Sequence, residues 1–180
     1  MGLHMRMDNG TNRTKAVNLM GLSIAQLHLA PCARRGAEQL QAACPWVVFT
    51  SGRRDLDGQA HAMAVNTVQN RHWIGQTYLH AAPLQTWVME HPDAETVDQL
   101  HDGLYQVLLA LPDAEVSRIS RHLTGDAFDV QPLADHDGKP TGDGQKLLEA
   151  MRALPGVERI LLKEGGLVRW HIQFSPSVEV

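Results

Sequence analysis

Apolar residues recur three or four positions apart over most of the first two thirds of the chain, which is the spacing of helices with one buried face. The predicted helices cover residues 16–30, 34–44, 59–78 and 84–91 and the stretch between Asp93 and Pro112. Pro31 separates the first two helices, while Asp57 and Asp93 precede later helices at positions suited to N-caps. Residues 1–14 are polar, and we expect them to be poorly ordered.

The pattern changes late in the chain, where short apolar and β-branched runs replace the helical spacing. Including an earlier run, the predicted strands cover residues 46–52, 127–132, 158–164 and 169–174. One helix, over residues 142–156, separates the second and third of them and ends at Gly156. This order predicts an α+β fold with a small, mainly antiparallel sheet packed against helices. We expect residues 1–44 to form an N-terminal extension with helices, and residues 45–180 to form the main domain of one compact unit.

The composition is typical of a globular protein. A chain of 180 residues, 43% apolar and 20% charged, can bury a core without a disulfide scaffold. A net charge of -4 and the lack of a dense Lys/Arg stripe argue against nucleic-acid binding. No apolar run approaches the roughly 20 residues of a membrane-spanning helix.

Two features bear on the cellular compartment. The N-terminal sequence is not a convincing signal peptide, because no apolar stretch follows it closely. We therefore expect synthesis in the cytoplasm, with release by another route if the protein acts outside the cell. Cys32 and Cys44 lack a CxxC arrangement, which argues against a cysteine zinc site or a redox pair. Two free, partly buried thiols are favoured, and a single disulfide stays open.

Alternation along two predicted strands separates apolar residues from polar ones. In "RWHIQF" and "AFDVQP" the residues expected on the buried faces are Trp170, Ile172, Phe174, Phe128 and Val130. The opposite faces carry His171 with Gln173, and Asp129 with Gln131. If the two strands are neighbours, Asp129 and His171 converge, and the turn that precedes the Asp129 strand can bring His122 back over it.

Two histidines and a carboxylate suit a catalytic zinc ion, because three protein ligands leave a fourth tetrahedral position for water. Water at that position would have its pKa lowered towards about 7. The residues also have simpler interpretations, since a lone histidine is often a surface or hydrogen-bonded residue and a lone aspartate is often a helix cap. A metal-free, hydrogen-bonded His/Asp cluster therefore stays open.

Three short motifs, in the same order and at similar spacing, resemble those of one enzyme family. "SRHLTGDAFDV" fits the pattern Ser-x-His-x-x-Gly-x-Ala-x-Asp, "TSGRR" resembles a preceding Ser-Gly-aromatic-Arg element, and "WHIQ" resembles a closing Trp-His element. Together they resemble the zinc D-alanyl-D-alanine carboxypeptidases and their relatives, the vancomycin-resistance D,D-dipeptidases and the phage L-alanyl-D-glutamate endopeptidase endolysins. The resemblance covers about residues 45–175.

The resemblance implies a hedgehog-like, D,D-peptidase-like α+β fold, one catalytic Zn²⁺ per chain and hydrolysis of cell-wall peptides. It implies that the zinc ligands are His122, Asp129 and His171. It also implies that Arg54 binds substrate or stabilises a developing oxyanion, and that Ser120 lies near the substrate. A guanidinium can fork onto a carboxylate or a polarised carbonyl, which agrees with that role for the arginine.

The sequence departs from the family pattern at two positions. Arg53 replaces the aromatic residue, so either Arg53 or Arg54 can be the arginine that faces the substrate. Val168 stands where much of the family has its general base, a glutamate three residues before the last histidine. The nearest upstream carboxylate is Glu164, and a hairpin through Gly165-Gly166 could bring it close to the metal as the base. An exposed turn residue is the alternative for Glu164.

Two glutamines are further candidates for the site. Gln59 follows "SGRR" and could support the site from a helix, whereas Gln173 shares a strand face with His171. Gln173 could hydrogen-bond a ligand or substrate, or be solvated on the sheet.

These observations predict a zinc metallopeptidase that hydrolyses peptidoglycan stem peptides, as a D,D-carboxypeptidase or an L-Ala-D-Glu endopeptidase. The lack of a clear signal peptide fits a phage or prophage lytic enzyme that reaches the cell wall after release. The alternative is a non-catalytic, metal-stabilised module that binds cell wall or builds a virion, because position 168 lacks the glutamate. The bond that is cut, exo- versus endo-action and the oligomeric state stay open.

Overall fold

A computed structural model describes residues 21–176 of the chain. The helices in order are α1 Pro31–Ala43, α2 Leu56–Gln69, α3 Trp73–Thr77, α4 Ala82–Glu90, α5 Val97–Ala110, α6 Asp113–Ile119, α7 Arg121–Thr124 and α8 Asp143–Ala153. The strands are β1 Phe49–Ser51, β2 Ala127–Val130, β3 Val157–Glu164 and β4 Leu167–Phe174. The predictions for residues 1–14, and for the first part of the helix over 16–30, lie outside the described residues.

The four strands form one antiparallel sheet in the order β1-β2-β4-β3. Within the described residues, helices pack against this sheet, so the fold class is α+β, as the sequence predicts. The two strands with alternating polar residues, β2 and β4, are direct neighbours in the sheet. β1 pairs with the other edge of β2, so β1, β2 and β4 lie side by side.

Two apolar clusters form the core, one against the apolar face of the sheet and one among the helices. The first lies under the other face of the sheet and includes Phe49, Phe128, Trp170, Ile172 and Phe174 together with residues of α1 and α8. The second lies among α2, α3, α4 and α5 and includes Met63, Trp73, Leu84 and Leu104. Trp170, Ile172 and Phe174 belong to the first cluster, whereas His171 and Gln173 line a cavity on the opposite face, which confirms the predicted alternation along β4. Because α1 joins the first cluster, the described part of segment 1–44 shares a core with the sheet.

The predicted helix over residues 16–30 is wrong for its described part. Residues 21–30 contain one short 3₁₀-helix, Ile24–Leu27, which Ser23 and Gln26 cap reciprocally. Pro31 does not interrupt helical structure but occupies the first turn of α1. A proline fits there because the first helical N–H groups have no partner within the helix. The helix predicted over 34–44 therefore begins three residues earlier, at Pro31.

The predicted helix over residues 59–78 is two helices, α2 and α3. The break lies at Asn70, which has extended backbone and donates through its side-chain amide to Gln76 and to the Gly165 carbonyl oxygen. The side chain of Asp55, and not that of Asp57, caps α2 by accepting from the Gly58 N–H at 2.8 Å.

The start of α5 and the strand β1 also differ from the predictions. Thr96, rather than Asp93, caps α5 in a capping box with Gln99. The strand predicted over 46–52 is limited to Phe49–Ser51. The short helices α6 and α7 are additional to the predicted elements.

Cys32 and Cys44 are both free thiols, as favoured from the sequence. Among residues 21–176, no helix is long and apolar enough to cross a membrane.

Candidate metal centre

The pairing of β2 with β4 brings two predicted ligands together. Asp129 and His171 are direct partners in the antiparallel register, so their side chains leave the sheet side by side on its polar face. The Asp129 Oδ1 atom lies 2.9 Å from His171 Nδ1. The predicted convergence of these two residues is therefore observed.

His122 reaches the same point from α7, the single helical turn that precedes β2. Ser120 caps this turn by accepting from the His122 N–H, and Gly125, with φ of 80°, ends it in the left-handed region that favours glycine. His122 Nε2 then lies 3.2 Å from Asp129 Oδ1 and 3.1 Å from His171 Nδ1. The sequence predicts a turn before the Asp129 strand, and in the structure this turn is the short helix α7.

The three atoms form a triangle with sides of 2.9, 3.1 and 3.2 Å. A tetrahedral ion bound at about 2.0–2.2 Å from each atom requires separations of roughly 3.4 Å, so a few tenths of an ångström of expansion would accommodate it. His122, Asp129 and His171 are thus a group that could hold a metal ion.

The hydrogen bonds around His122 leave a lone pair directed into the triangle. Its Nδ1 atom lies 2.6 Å from the Gly52 carbonyl oxygen, which can only accept, so Nδ1 carries the proton. In a neutral imidazole Nε2 is then an acceptor, and it faces a carboxylate oxygen and a second imidazole. A bound cation would satisfy all three atoms, and a carbonyl that orients a histidine in this way is typical of metal sites.

The charges of the cluster favour an ionised Asp129. Burial raises the pKa of Asp129, but the two adjacent imidazoles outweigh it and hold that pKa well below the usual range. Burial also lowers the pKa of His122. Burial opposes protonation of His171 as well, but the hydrogen bond to Asp129 and its charge raise the pKa of His171 overall. The cluster is therefore a half-buried carboxylate between two buried imidazoles.

Arg54 holds the other oxygen of Asp129. Its Nη2 atom donates to Asp129 Oδ2 at 2.9 Å, its Nε to Ser51 Oγ at 3.0 Å and its Nη1 to Gln59 Oε1 at 3.4 Å. Ser51 lies opposite Asp129 in the pairing of β1 with β2. Arg54 is therefore the arginine that faces the site, whereas Arg53 is exposed and lies outside the cavity.

A cavity of about 690 Å³ opens above the cluster, between the sheet and the helices. The predicted site residues that line it are His122, Asp129, His171, Arg54, Ser120, Glu164 and Gln173. Gln59 is fully buried behind Arg54 and supports it from α2, as the sequence suggests. The side-chain amide of Gln173 donates to Glu158 at 3.1 Å rather than to the cluster.

Glu164 lies at the end of β3, where the predicted hairpin through Gly165-Gly166 turns into β4. Its backbone carbonyl accepts from Trp73 Nε1 at 3.0 Å, which ties the hairpin to α3. Burial raises the pKa of the Glu164 carboxyl, although the charge of His171 opposes this shift. Glu164 is therefore a half-buried acid of the cavity wall and not an exposed turn residue.

Some cavity residues were not singled out from the sequence. Tyr78 is the last residue of the predicted helix over 59–78, and Arg169 lies in β4, where its guanidinium donates to Asn66 of α2 at 3.0 Å. Trp73, whose indole N–H donates to Glu164, also lines the cavity. No motif marks these residues, because their place depends on how the helical layer packs on the sheet.

A second group of potential ligands, in Asp135, His136 and Asp137, lies in the loop before α8. Asp135 Oδ1 accepts from the backbone N–H groups of Asp137 and Lys139, so it organises the turn. His136 and Asp137 are exposed, so this group is part of a turn at the surface.

No protein-family model, no curated protein and no solved structure matches this chain.

Proposed function

We propose that this protein is a zinc-dependent peptidase that hydrolyses peptidoglycan stem peptides. The observation that carries the proposal is the convergence of His122 Nε2, Asp129 Oδ1 and His171 Nδ1 at one point of a large cavity. The three motifs that resemble the D-alanyl-D-alanine carboxypeptidases and their relatives support the choice of substrate.

The donor set supports zinc as the metal. Two imidazole nitrogens and one carboxylate oxygen form a common ligand set for catalytic zinc. When bound, zinc supplies Lewis acidity, which lowers the pKa of water and polarises a carbonyl group. The hydrogen bonds from His122 to Gly52 and from Arg54 to Asp129 orient two of the three proposed ligands.

Glu164 is the proposed general base. Its carboxylate would take a proton from the water that attacks the scissile carbonyl, and would then pass that proton to the leaving amine. The raised pKa suits this double role, because the group must both accept and release a proton near neutral pH. Its hairpin position supplies the carboxylate that Val168 cannot.

Arg54 is the proposed substrate-binding cation. Three of its five N–H groups are bound to Ser51, Gln59 and Asp129, which leaves two to donate into the cavity. A guanidinium held in this way can bind a carbonyl oxygen or a carboxylate without further ordering.

The charge of the cavity wall favours a peptide that carries carboxylates. The cavity is lined by five arginines, namely Arg54, Arg118, Arg121, Arg159 and Arg169, and by three acids, namely Asp126, Asp129 and Glu164. This local excess of positive charge contrasts with the net charge of -4 for the whole chain. Stem peptides contain D-glutamate and a terminal carboxylate, so they suit such a wall.

The release of free amines from purified peptidoglycan tests the proposal. We expect release by the wild-type protein, loss of release after chelation and recovery when zinc is added. Glu164→Gln should slow release by about 100-fold or more, because a general base contributes that much or more to hydrolysis. Glu149→Gln, the same change at an exposed position of α8, should release amines at the wild-type rate.

Two outcomes would contradict parts of this proposal. Bound zinc without amine release would instead favour the non-catalytic cell-wall-binding or virion module. Full activity of Glu164→Gln, with chelator-sensitive release by the wild type, would show that another group is the base.

A further inference from the structure

A chain of hydrogen bonds behind the metal centre has a fixed direction. Arg54 can only donate, so the Gln59 atom that faces its Nη1 at 3.4 Å is the amide oxygen. The amide nitrogen of Gln59 therefore faces the Tyr78 hydroxyl, at 3.1 Å, and donates to it. Gln59 is fully buried, so water cannot take over either bond.

This direction determines what Tyr78 can do. Its hydroxyl oxygen accepts from Gln59, so its own proton remains to be donated, and no acceptor for it lies within hydrogen-bonding distance among the described residues. Tyr78 lines the same cavity as the three ligands. A free donor is therefore available at the wall of the site.

Tyr78 is held close to the groups proposed to carry out the chemistry. Its ring packs edge-on against Trp73, with ring centroids 5.4 Å apart, and Trp73 Nε1 donates to the Glu164 carbonyl. Burial raises the pKa of Tyr78. The charge of Arg54 opposes this shift, whereas the charges of Glu164 and Asp129 add to it. The hydroxyl therefore stays protonated at any pH at which the enzyme would work.

We propose that the Tyr78 hydroxyl donates a hydrogen bond to the scissile carbonyl oxygen of the bound peptide as that oxygen gains negative charge, and that Gln59 positions it. This inference rests on the proposed peptidase function and adds a donor to Arg54. A donor that is already oriented stabilises the transition state more than the substrate, because it needs no reorganisation as charge develops.

Tyr78→Phe is the direct test, because it removes one hydroxyl and keeps the ring on Trp73. The probe is the soluble peptide L-Ala–γ-D-Glu–L-Lys–D-Ala–D-Ala, which contains both candidate bonds. We expect kcat to fall by about 100-fold with KM changed less than about twofold, which is the effect of losing one oxyanion donor. Tyr105→Phe is the matched control, since the only other tyrosine stacks on His101 in α5, away from the cavity.

Gln59→Glu tests the direction of the hydrogen bonds. A carboxylate at position 59 would accept from both Arg54 and Tyr78, so the Tyr78 proton would turn away from the cavity. We expect this variant to lose kcat as Tyr78→Phe does, and the double variant to lose little more than either single one. Zinc content and thermal unfolding of each variant should match the wild type, which separates this effect from a loss of fold or metal.

The results distinguish this inference from the function on which it rests. If the wild type hydrolyses the peptide and Tyr78→Phe retains its kcat, or raises KM alone, Tyr78 is not the donor and the peptidase proposal stands. If the wild type fails to hydrolyse the peptide with zinc bound, the peptidase proposal fails, and the role of Tyr78 fails with it.

Discussion

Single hydrogen bonds decide how the ligand side chains are presented. His122 is oriented by a carbonyl oxygen of the segment after β1, and Asp129 by the guanidinium of Arg54. Both partners belong to the protein itself, so the orientation of these two side chains is determined by the fold. The contributions of these neighbours to metal affinity can be measured one at a time.

Arg54→Lys should weaken zinc binding by about 10- to 100-fold, the usual effect of losing a group that orients a ligand. A lysine keeps the charge but cannot bond Ser51, Gln59 and Asp129 at once. Competition with a chromogenic chelator measures the affinity. Arg53→Lys, the neighbouring change at an exposed position, should leave zinc affinity within about twofold of wild type. Equal affinities of the two variants would show that Arg54 does not support the site.

The residues of the candidate metal cluster could be predicted at the residue scale, whereas their supporting residues could not. Alternation along two strands is a local property, and it placed Asp129 and His171 on the polar face of the sheet. The choice between Arg53 and Arg54 required the path of the chain after β1. Tyr78 was missed because its role depends on a buried glutamine 19 positions earlier in the sequence.

The secondary-structure elements meet closely where the segment after β1 passes the 3₁₀-helix. A Cβ atom at Gly52 would lie 2.3 Å from the Leu27 carbonyl oxygen, which is backbone and cannot turn away. Gly52 also supplies the carbonyl oxygen that orients His122. The glycine of "TSGRR" therefore has a steric role and also orients His122 in the candidate metal cluster.

Gly52→Ala should lower the free energy of unfolding by about 1–3 kcal/mol, because the backbone must shift to admit the methyl group. It should also weaken zinc binding, because that shift moves the acceptor of His122. Urea unfolding and chelator competition measure the two effects. Gly58→Ala in α2, where the nearest atom is the movable end of the Asp55 side chain, should change stability by less than about 1 kcal/mol. Wild-type stability of Gly52→Ala would contradict the packing described here.

A second link between elements joins α5 to α2 through His101, whose imidazole lies 3.1 Å from both Asp102 and Asp57. The hydrogen bond to Asp102, followed by that to Asp57, raises the pKa of His101. The stabilisation of the folded state by protonated His101 and its two aspartates is therefore complete below the ordinary histidine pKa of about 6.5. It is lost as pH rises through the higher pKa that His101 has in the folded state.

His101→Asn should accordingly destabilise the protein more at pH 5.5 than at pH 9. Urea unfolding of wild type and variant at the two pH values measures this difference. His80→Asn, the same change at an exposed histidine, is the matched control. An equal loss at both pH values would mean that His101 contributes by packing alone.

At the scale of the whole molecule, the three candidate ligands come from α7, β2 and β4, and the cavity lies between the sheet and the helical layer. The α+β class follows from the order of helical and strand-like patterns along the chain. The division of the predicted helix over 59–78 into two helices does not follow from that order. The break lies at Asn70, whose side-chain amide donates to a backbone carbonyl 95 positions away. At Pro31 the sequence predicted a helix break, but a proline can also begin a helix, as it does in α1.

Metal binding should stabilise the folded protein, because an ion that binds the folded chain more tightly than the unfolded one shifts the equilibrium towards folding. Zinc should raise the melting temperature of the wild-type protein, and chelation should reverse the rise. His171→Ala should remove this response, whereas His136→Ala, in the exposed loop, should keep it. A zinc response of the same size in both variants would place the metal elsewhere.

The zinc content of the purified protein tests the central claim most directly. We expect about one zinc per chain in the wild type. His122→Ala, which removes one of the three converging atoms, should lose most of that zinc in the same buffer. A wild type without metal after zinc is supplied, or full zinc content in His122→Ala, would contradict the assignment of His122, Asp129 and His171 as a metal centre.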